Sequence, residues 1–145
     1  QVTSSARLVN DGMAGYIVKE LIEMYSQRKI EVEHSRMLVM GLTYKENFPD
    51  VRSSLVLDII EELSSMGILI DVLEPVLDDK TKANLNLNFI DQLKSRKEYD
   101  GVLVAVAHDQ FKLLDGKEVK LELKDKGFIY DVKCVLPKEI SDNSL

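Results

Sequence analysis

The sequence predicts an α/β fold, a parallel sheet with helices on both faces, and three observations carry that expectation. Short uninterrupted apolar runs recur at Met37–Met40, at Ile68–Ile70 with Val72–Leu73, at Val102–Val106 and at Phe128–Tyr130, as in strands buried on both faces. Between the first two runs lies a segment with helical spacing. Ahead of the first run stands a long amphipathic stretch, Arg7 to Tyr25.

In that first stretch Val9, Met13, Ile17, Leu21 and Tyr25 recur every four positions, with Ala14, Val18 and Ile22 beside them, which predicts a helix. A polar link, Ser26 to Ser35, leads to the first strand. Ser53 or Ser54 can cap a second helix whose Leu55, Val56, Ile59, Ile60, Leu63 and Met66 share one face and which stops before Gly67. Strand, helix and strand together form a βαβ unit. Weaker helical segments follow at Asn88 to Lys94, through Phe89, Ile90 and Leu93, then near Asp109 to Leu114 and Val119 to Leu123. The alternation predicts a Rossmann-like parallel sheet with right-handed crossovers. We divide the chain into a leading helix (1–28), one domain (36–140) and a tail (141–145) expected to fray.

The chain's 145 residues suit one domain with its own core. No apolar run approaches the roughly 18 residues a membrane span requires, and the balance of 45% hydrophobic and 30% charged residues is that of a globular protein. A net charge of -6 without a long basic run argues against nucleic-acid binding. The single cysteine, Cys134, excludes an internal disulfide and a multi-cysteine zinc site, and suits a cytoplasmic location. The start at Gln1 lacks the pattern of a signal peptide, and the chain reads as a piece of something longer.

In a doubly wound sheet, ligands gather where the carboxyl ends of the strands meet the following loops, here Leu42–Arg52, Glu74–Asp78, Ala107–Phe111 and Asp131–Pro137. The first loop brings Tyr44, Lys45, Asp50 and Arg52 together. An ammonium, a guanidinium and an aromatic face suit phosphate oxygens and a base, although Lys45 and Arg52 also read as solvated loop charges. The fourth loop adds Lys133 beside Asp131 and Cys134. If its strand neighbours the first, three cations surround one diphosphate; otherwise Lys133 merely pairs with Asp131 or Asp50. His108 reads first as a loop-fixing residue and second as a base, since no nucleophile stands beside it. Cys134 reads as a small semi-buried side chain, His34 has no functional partner, and the acid pairs Glu61–Glu62 and Asp78–Asp79 read as solvated, with too few ligands for a metal. Met13, Met24, Met37, Met40 and Met66 fall on apolar faces and read as core.

The segments Gly41-Leu-Thr-Tyr-Lys45, Pro49-Asp50, Arg52-Ser53 and Tyr130-Asp-Val-Lys133 with Val135-Leu-Pro-Lys138 resemble, in order and spacing, the paired signatures of the UDP-glucose/GDP-mannose dehydrogenase family. Arg7 to Met13 is similar to the start of the helix that joins the two domains in that family and forms much of its dimer contact. The resemblance implies the substrate-binding C-terminal part of an NAD-dependent UDP-sugar 6-dehydrogenase, and the wording GLTYKENFPD and YDVKCVLPK looks most like the branch acting on UDP-N-acetylhexosamines.

Carried over by position, Tyr44, Lys45 and Lys133 would contact the UDP-sugar, Arg52 would reach the NAD, and Asp50 and Asp131 would organise loops. Asn10 would serve structure or the domain interface. The partners implied are the UDP-sugar, an N-terminal NAD domain and a second copy meeting through the 7–25 helix. The chain departs from the family where chemistry is concerned: it has no G-x-G-x-x-G fingerprint and no glycine-rich cysteine motif, so no catalytic residue is expected in it. Two other readings are a non-catalytic dimerisation or nucleotide-binding module and a receiver domain; the latter is disfavoured because the first strand ends in Gly41-Leu-Thr43 rather than an acidic cluster, and Val104-Ala-Val106 leads to His108 with no phosphorylatable aspartate at that strand end.

Overall fold

A computed structural model describes the backbone of residues 2–145 and the side chains of residues 12–145. Expectations for Arg7, Val9 and Asn10 therefore lie outside the described side chains. The elements in chain order are α1 (Val2–Gln27), β1 (Arg36–Met40), α2 (Leu55–Ser65), β2 (Leu69–Leu73), α3 (Asp79–Ala83), β3 (Asn88–Ile90), β4 (Tyr99–Val104), α4 (Asp109–Lys112), α5 (Lys117–Lys120), β5 (Leu123–Asp131) and β6 (Asn143–Ser144).

All the strand pairs are parallel, and the sheet runs β3-β2-β1-β4-β5-β6. The order reverses between β1 and β4, so the middle of the sheet is where the carboxyl-end loops diverge and leave a crevice. The apolar runs do become the central strands. Met37–Met40 and Val102–Val104 are buried throughout, because α1 and α2 cover one face and α4 and α5 the other. Met37, Val39, Leu103 and Phe128 pack under Ile17, Leu21 and Tyr25 of α1 and Ile59 and Leu63 of α2. Leu38, Met40, Val102, Val104 and Ile129 pack under Phe111 and Val119. Each such side chain contributes about 2 kcal/mol by leaving water.

Helix α2 starts where a cap was expected. Ser54 is the residue that caps it, accepting from the Val56 N–H at 3.2 Å, while Ser53 sits in the left-handed region at φ 61°. Gly67, at φ 90°, ends the turn, as a residue without Cβ does at low cost.

Four expectations need correction. The segment Asn88–Lys94 is not helical: Asn88–Ile90 form edge strand β3, whose Asn88 amide donates to Asp71 across the pair, and Ser95 and Lys97 with φ of 53° break the chain beyond it. The tail does not fray. Asn143–Ser144 pair with Tyr130–Asp131, because the Asp142 carboxylate accepts from the Ile129 N–H at 2.9 Å and from the Arg28 guanidinium at 2.8 Å. Met13 and Met66 are exposed rather than core, whereas Met24, Met37 and Met40 are buried. Asp78 is more than a solvated acid: its side chain caps α3 by accepting from the Thr81 N–H at 2.8 Å.

Candidate functional site at the carboxyl edge

The loop after β1 is built first by its glycine. Gly41 has φ 95°, and a Cβ there would stand 2.6 Å from Val106 Cβ, so only glycine lets the chain turn this tightly against the exit of β4. Beyond it, the backbone fastens onto two fully buried side chains, Glu74 at the end of β2 and His108 after β4. Glu74 accepts from the Leu42 N–H at 2.7 Å and from the Val76 N–H at 2.6 Å. His108 Nδ1 accepts from the Asn47 N–H at 2.9 Å, which puts the ring proton on Nε2, 2.9 Å from Glu74 Oε1, where it donates. Thr43 Oγ1 donates to the Lys45 carbonyl at 2.8 Å and lies 3.3 Å from the same Nε2. Burial pushes the Glu74 carboxyl up, but the His108, Leu42 and Val76 hydrogen bonds outweigh it and hold the group below the usual glutamate range.

The rest of the loop is closed by shorter links. The Tyr44 N–H donates to the Asp50 carbonyl at 2.7 Å, and Ser54 Oγ donates to the Leu42 carbonyl at 2.7 Å. Asn47, at φ 59°, accepts from the Asp109 N–H at the start of α4. These bonds use the backbone and leave the candidate side chains outside. Tyr44 is 57% exposed, and Lys45 is exposed with its ammonium 5.1 Å from the centre of the Phe48 ring. Arg52 folds back on Asp50, Nη2 to Oδ2 at 2.9 Å, with its side chain 88% exposed. The Arg52 side chain and backbone N–H hold the Asp50 carboxyl below its ordinary range.

On the fourth loop, Asp131 is buried and accepts from the Val135 and Leu136 N–H groups at 3.0 and 2.8 Å, closing the turn that carries exposed Lys133 and Cys134. Among the described residues Lys133 pairs with neither Asp131 nor Asp50. Strand β4 separates β1 from β5, so the first and fourth loops leave the same edge about 10 Å apart, two strand spacings, rather than from neighbouring strands. The structure thus groups Tyr44, Lys45, Asp50 and Arg52 on one loop and sets Lys133 across the exit of β4. Cys134 is exposed, not semi-buried, at φ 54°.

A cavity of about 360 Å³ opens on the β3 side of this edge, over Leu73, Leu93, Phe111 and Leu114. Tyr44, Lys45, Arg52 and Lys133 do not line it, and its charged residues are Asp91 and Glu118, which repel a diphosphate. Sequence reasoning missed Glu74 and Asn47. A glutamate after Val72-Leu73 reads as the solvated end of a strand, and only the meeting of three loops shows otherwise. Among the described residues there is no group of three His, Cys, Asp or Glu able to hold a metal ion, and no helix long and apolar enough to cross a membrane.

A parallel sheet in this order, with helices on both faces and loops diverging at its reversal point, defines a doubly wound α/β domain. The chain belongs to the UDP-glucose/GDP-mannose dehydrogenase family: residues 38–138 match that family's UDP binding domain. It is 34% identical over 98% of its length to UDP-N-acetyl-D-glucosamine 6-dehydrogenase of Salmonella typhi, and 36% identical over 94% of its length to Protein CapL of Staphylococcus aureus. It spans 33% and 32% of those relatives, about a third of each. The solved NDP-N-acetyl-D-galactosaminuronic acid dehydrogenase of Methanosarcina mazei Go1 shares the fold with a TM-score of 0.79 at 16% identity, over 96% of this chain and 29% of that one. The family expected from the loop signatures is therefore the family found, and the Salmonella typhi relative bears the name of the UDP-N-acetylhexosamine branch.

Proposed function

We propose that this chain holds the nucleotide sugar in an NAD-dependent UDP-sugar 6-dehydrogenase, which oxidises the C6 alcohol of a UDP-(N-acetyl)hexosamine or UDP-hexose to the uronic acid for surface polysaccharide. The observation that carries the reading is the braced loop after β1, which presents Tyr44 and Lys45 outward at the point where the strand order reverses. Lys45 and Lys133 would donate to diphosphate or sugar oxygens, Tyr44 would stack or donate from beside them, and Asp50 and Asp131 would keep the two loops in shape. The relatives' names supply the reaction class.

The residues present do not fit a whole dinucleotide. The glycine after β1 packs against Val106 and is followed by Leu42 and Thr43, so no glycine-rich turn is available to cradle a pyrophosphate. NAD would be held mainly by a domain outside these residues, with Arg52 reaching toward it, and the isolated chain would be inactive. Exposed Met13 and Tyr16 on α1 support a homodimer through the 7–25 helix. A cytoplasmic location follows from a nucleotide-sugar substrate.

In the full-length enzyme, Lys45→Ala is expected to weaken UDP-sugar binding about tenfold or more, the loss of one charge-assisted hydrogen bond. Calorimetry or the KM for the sugar nucleotide measures it. Unchanged affinity would sink the assignment and favour a non-catalytic dimerisation module.

A further inference from the structure

We infer that the buried His108–Glu74 pair is the positioning device of the substrate loop, fixing the direction in which Tyr44 and Lys45 point without touching the ligand. The substrate part of this inference rests on the proposal that the loop holds a nucleotide sugar. The bracing itself is read from the geometry alone.

Between Leu42 and Asn47 the chain meets one imidazole and one carboxylate at three points. The Leu42 N–H meets Glu74, Thr43 Oγ1 bridges the Lys45 carbonyl and the ring edge, and the Asn47 N–H meets His108 Nδ1. The segment's one apolar anchor is Leu42 at its start, fully buried in the core, whereas Tyr44 and Phe48 beyond it are 57% and 43% exposed. Beyond Leu42, polar contacts therefore set the course of the chain that carries Tyr44 and Lys45: the Tyr44 N–H bond to the Asp50 carbonyl closes the loop on itself, and the bonds to His108 and Glu74 tie it to other strands. His108 joins β4 to the loop and Glu74 joins β2 to it, so one hub ties together the three strand exits flanking the reversal point.

The same geometry removes His108 from the list of bases. Its ring is 0% exposed, and both nitrogens are occupied, Nδ1 accepting from Asn47 and Nε2 donating to Glu74. No lone pair is left to take a proton from a ligand.

The test uses the full-length enzyme with His108→Asn, His108→Gln and Thr43→Val, alongside Lys45→Ala. An asparagine amide can reproduce the Nδ1 acceptor and a glutamine amide the Nε2 donor, so each keeps one arm of the hub, and Thr43→Val removes a hydroxyl with little change of volume. For each variant the KM for the sugar nucleotide is expected to rise about tenfold while kcat holds within about threefold, with the pH profile of kcat keeping its shape. Hydrogen exchange of the Tyr44 to Asn47 amides should quicken while that of Met37–Met40 stays slow.

A kcat lowered a hundredfold at unchanged KM, or a lost limb of the pH profile, would overturn the inference in favour of a base. Unchanged kinetics and exchange, or a uniform loss of all parameters together with lowered melting temperature, would overturn it as well. If Lys45→Ala leaves the KM unchanged while exchange at Tyr44 to Asn47 still quickens in the His108 and Thr43 variants, the loop is braced as inferred and the substrate reading is what fails.

Discussion

Two buried carboxylates belong to the β2 segment, Asp71 at mid-strand and Glu74 just past the carboxyl end, and their partners differ. Asp71 serves the amino edge, where it accepts from the first residues of three strands, the Arg36 guanidinium at 2.9 Å, the Tyr99 hydroxyl at 2.6 Å and the Asn88 amide. These are side chains of β1, β4 and β3, so Asp71 knits strands to strands. Glu74, at the carboxyl edge, accepts mainly from loop backbone, with one buried imidazole. Burial pushes both carboxyls up, and hydrogen bonds bring both below their ordinary ranges. The same chemistry therefore does two jobs. At one edge it locks a regular sheet, and at the other it shapes irregular chain, which is where a ligand can be met.

The largest expected effect tests the amino edge. Asp71→Ala leaves the buried Tyr99 hydroxyl without its acceptor and takes from the partly exposed Arg36 guanidinium the nearer of its two carboxylates, and should cost about 2 kcal/mol in denaturant unfolding. Affinity for the sugar nucleotide, measured where the variant is still folded, should be unchanged. A parallel loss of affinity would break the distinction between the edges.

A second effect comes from pH. Both carboxyls have folded pKa values below their unfolded ones, so between the two values the unfolded chain binds more protons. Their stabilisation is fully present above the ordinary carboxylate range, and it is lost as pH falls through the folded values. The melting temperature should fall below about pH 4.5. Glu74→Gln should flatten part of that dependence, because an amide cannot accept from both Leu42 and Val76 and from the imidazole. An undiminished slope in Glu74→Gln would show that Asp71 and other acids carry all of it.

Much of the fold was legible because burial on both faces writes continuous apolar runs. Met37–Met40 and Val102–Val104 gave the central strands, and Ser54 through Gly67 gave a capped helix with both ends marked. Strand β3 was illegible: Phe89, Ile90 and Leu93 show three apolar positions at a spacing that suits a helix, and only Asp71 and the adjacent strand show otherwise. Strand β6 is polar, and its pairing depends on Asp142 reaching residues more than a hundred positions away in Arg28. The candidate site was half legible. Tyr44, Lys45, Asp50 and Arg52 lie within one loop and announce themselves by type, whereas Glu74 gains its role only from chain folded around it.

The smallest expected effect tests the carboxyl edge from its exposed side. Asp50 and Arg52 form a close ion pair, but the guanidinium is almost wholly in water, where Coulomb attraction is weak and salt screens it. Asp50→Asn keeps an oxygen for the Arg52 N–H and leaves untouched the Tyr44 N–H bond to the Asp50 carbonyl. Its unfolding midpoint should match that of the parent at both low and high salt. If it unfolds earlier and the gap closes on adding salt, the exposed pair rather than the His108–Glu74 hub is what holds this edge, and the contrast with Asp71 would rest on surface charge instead of buried hydrogen bonds.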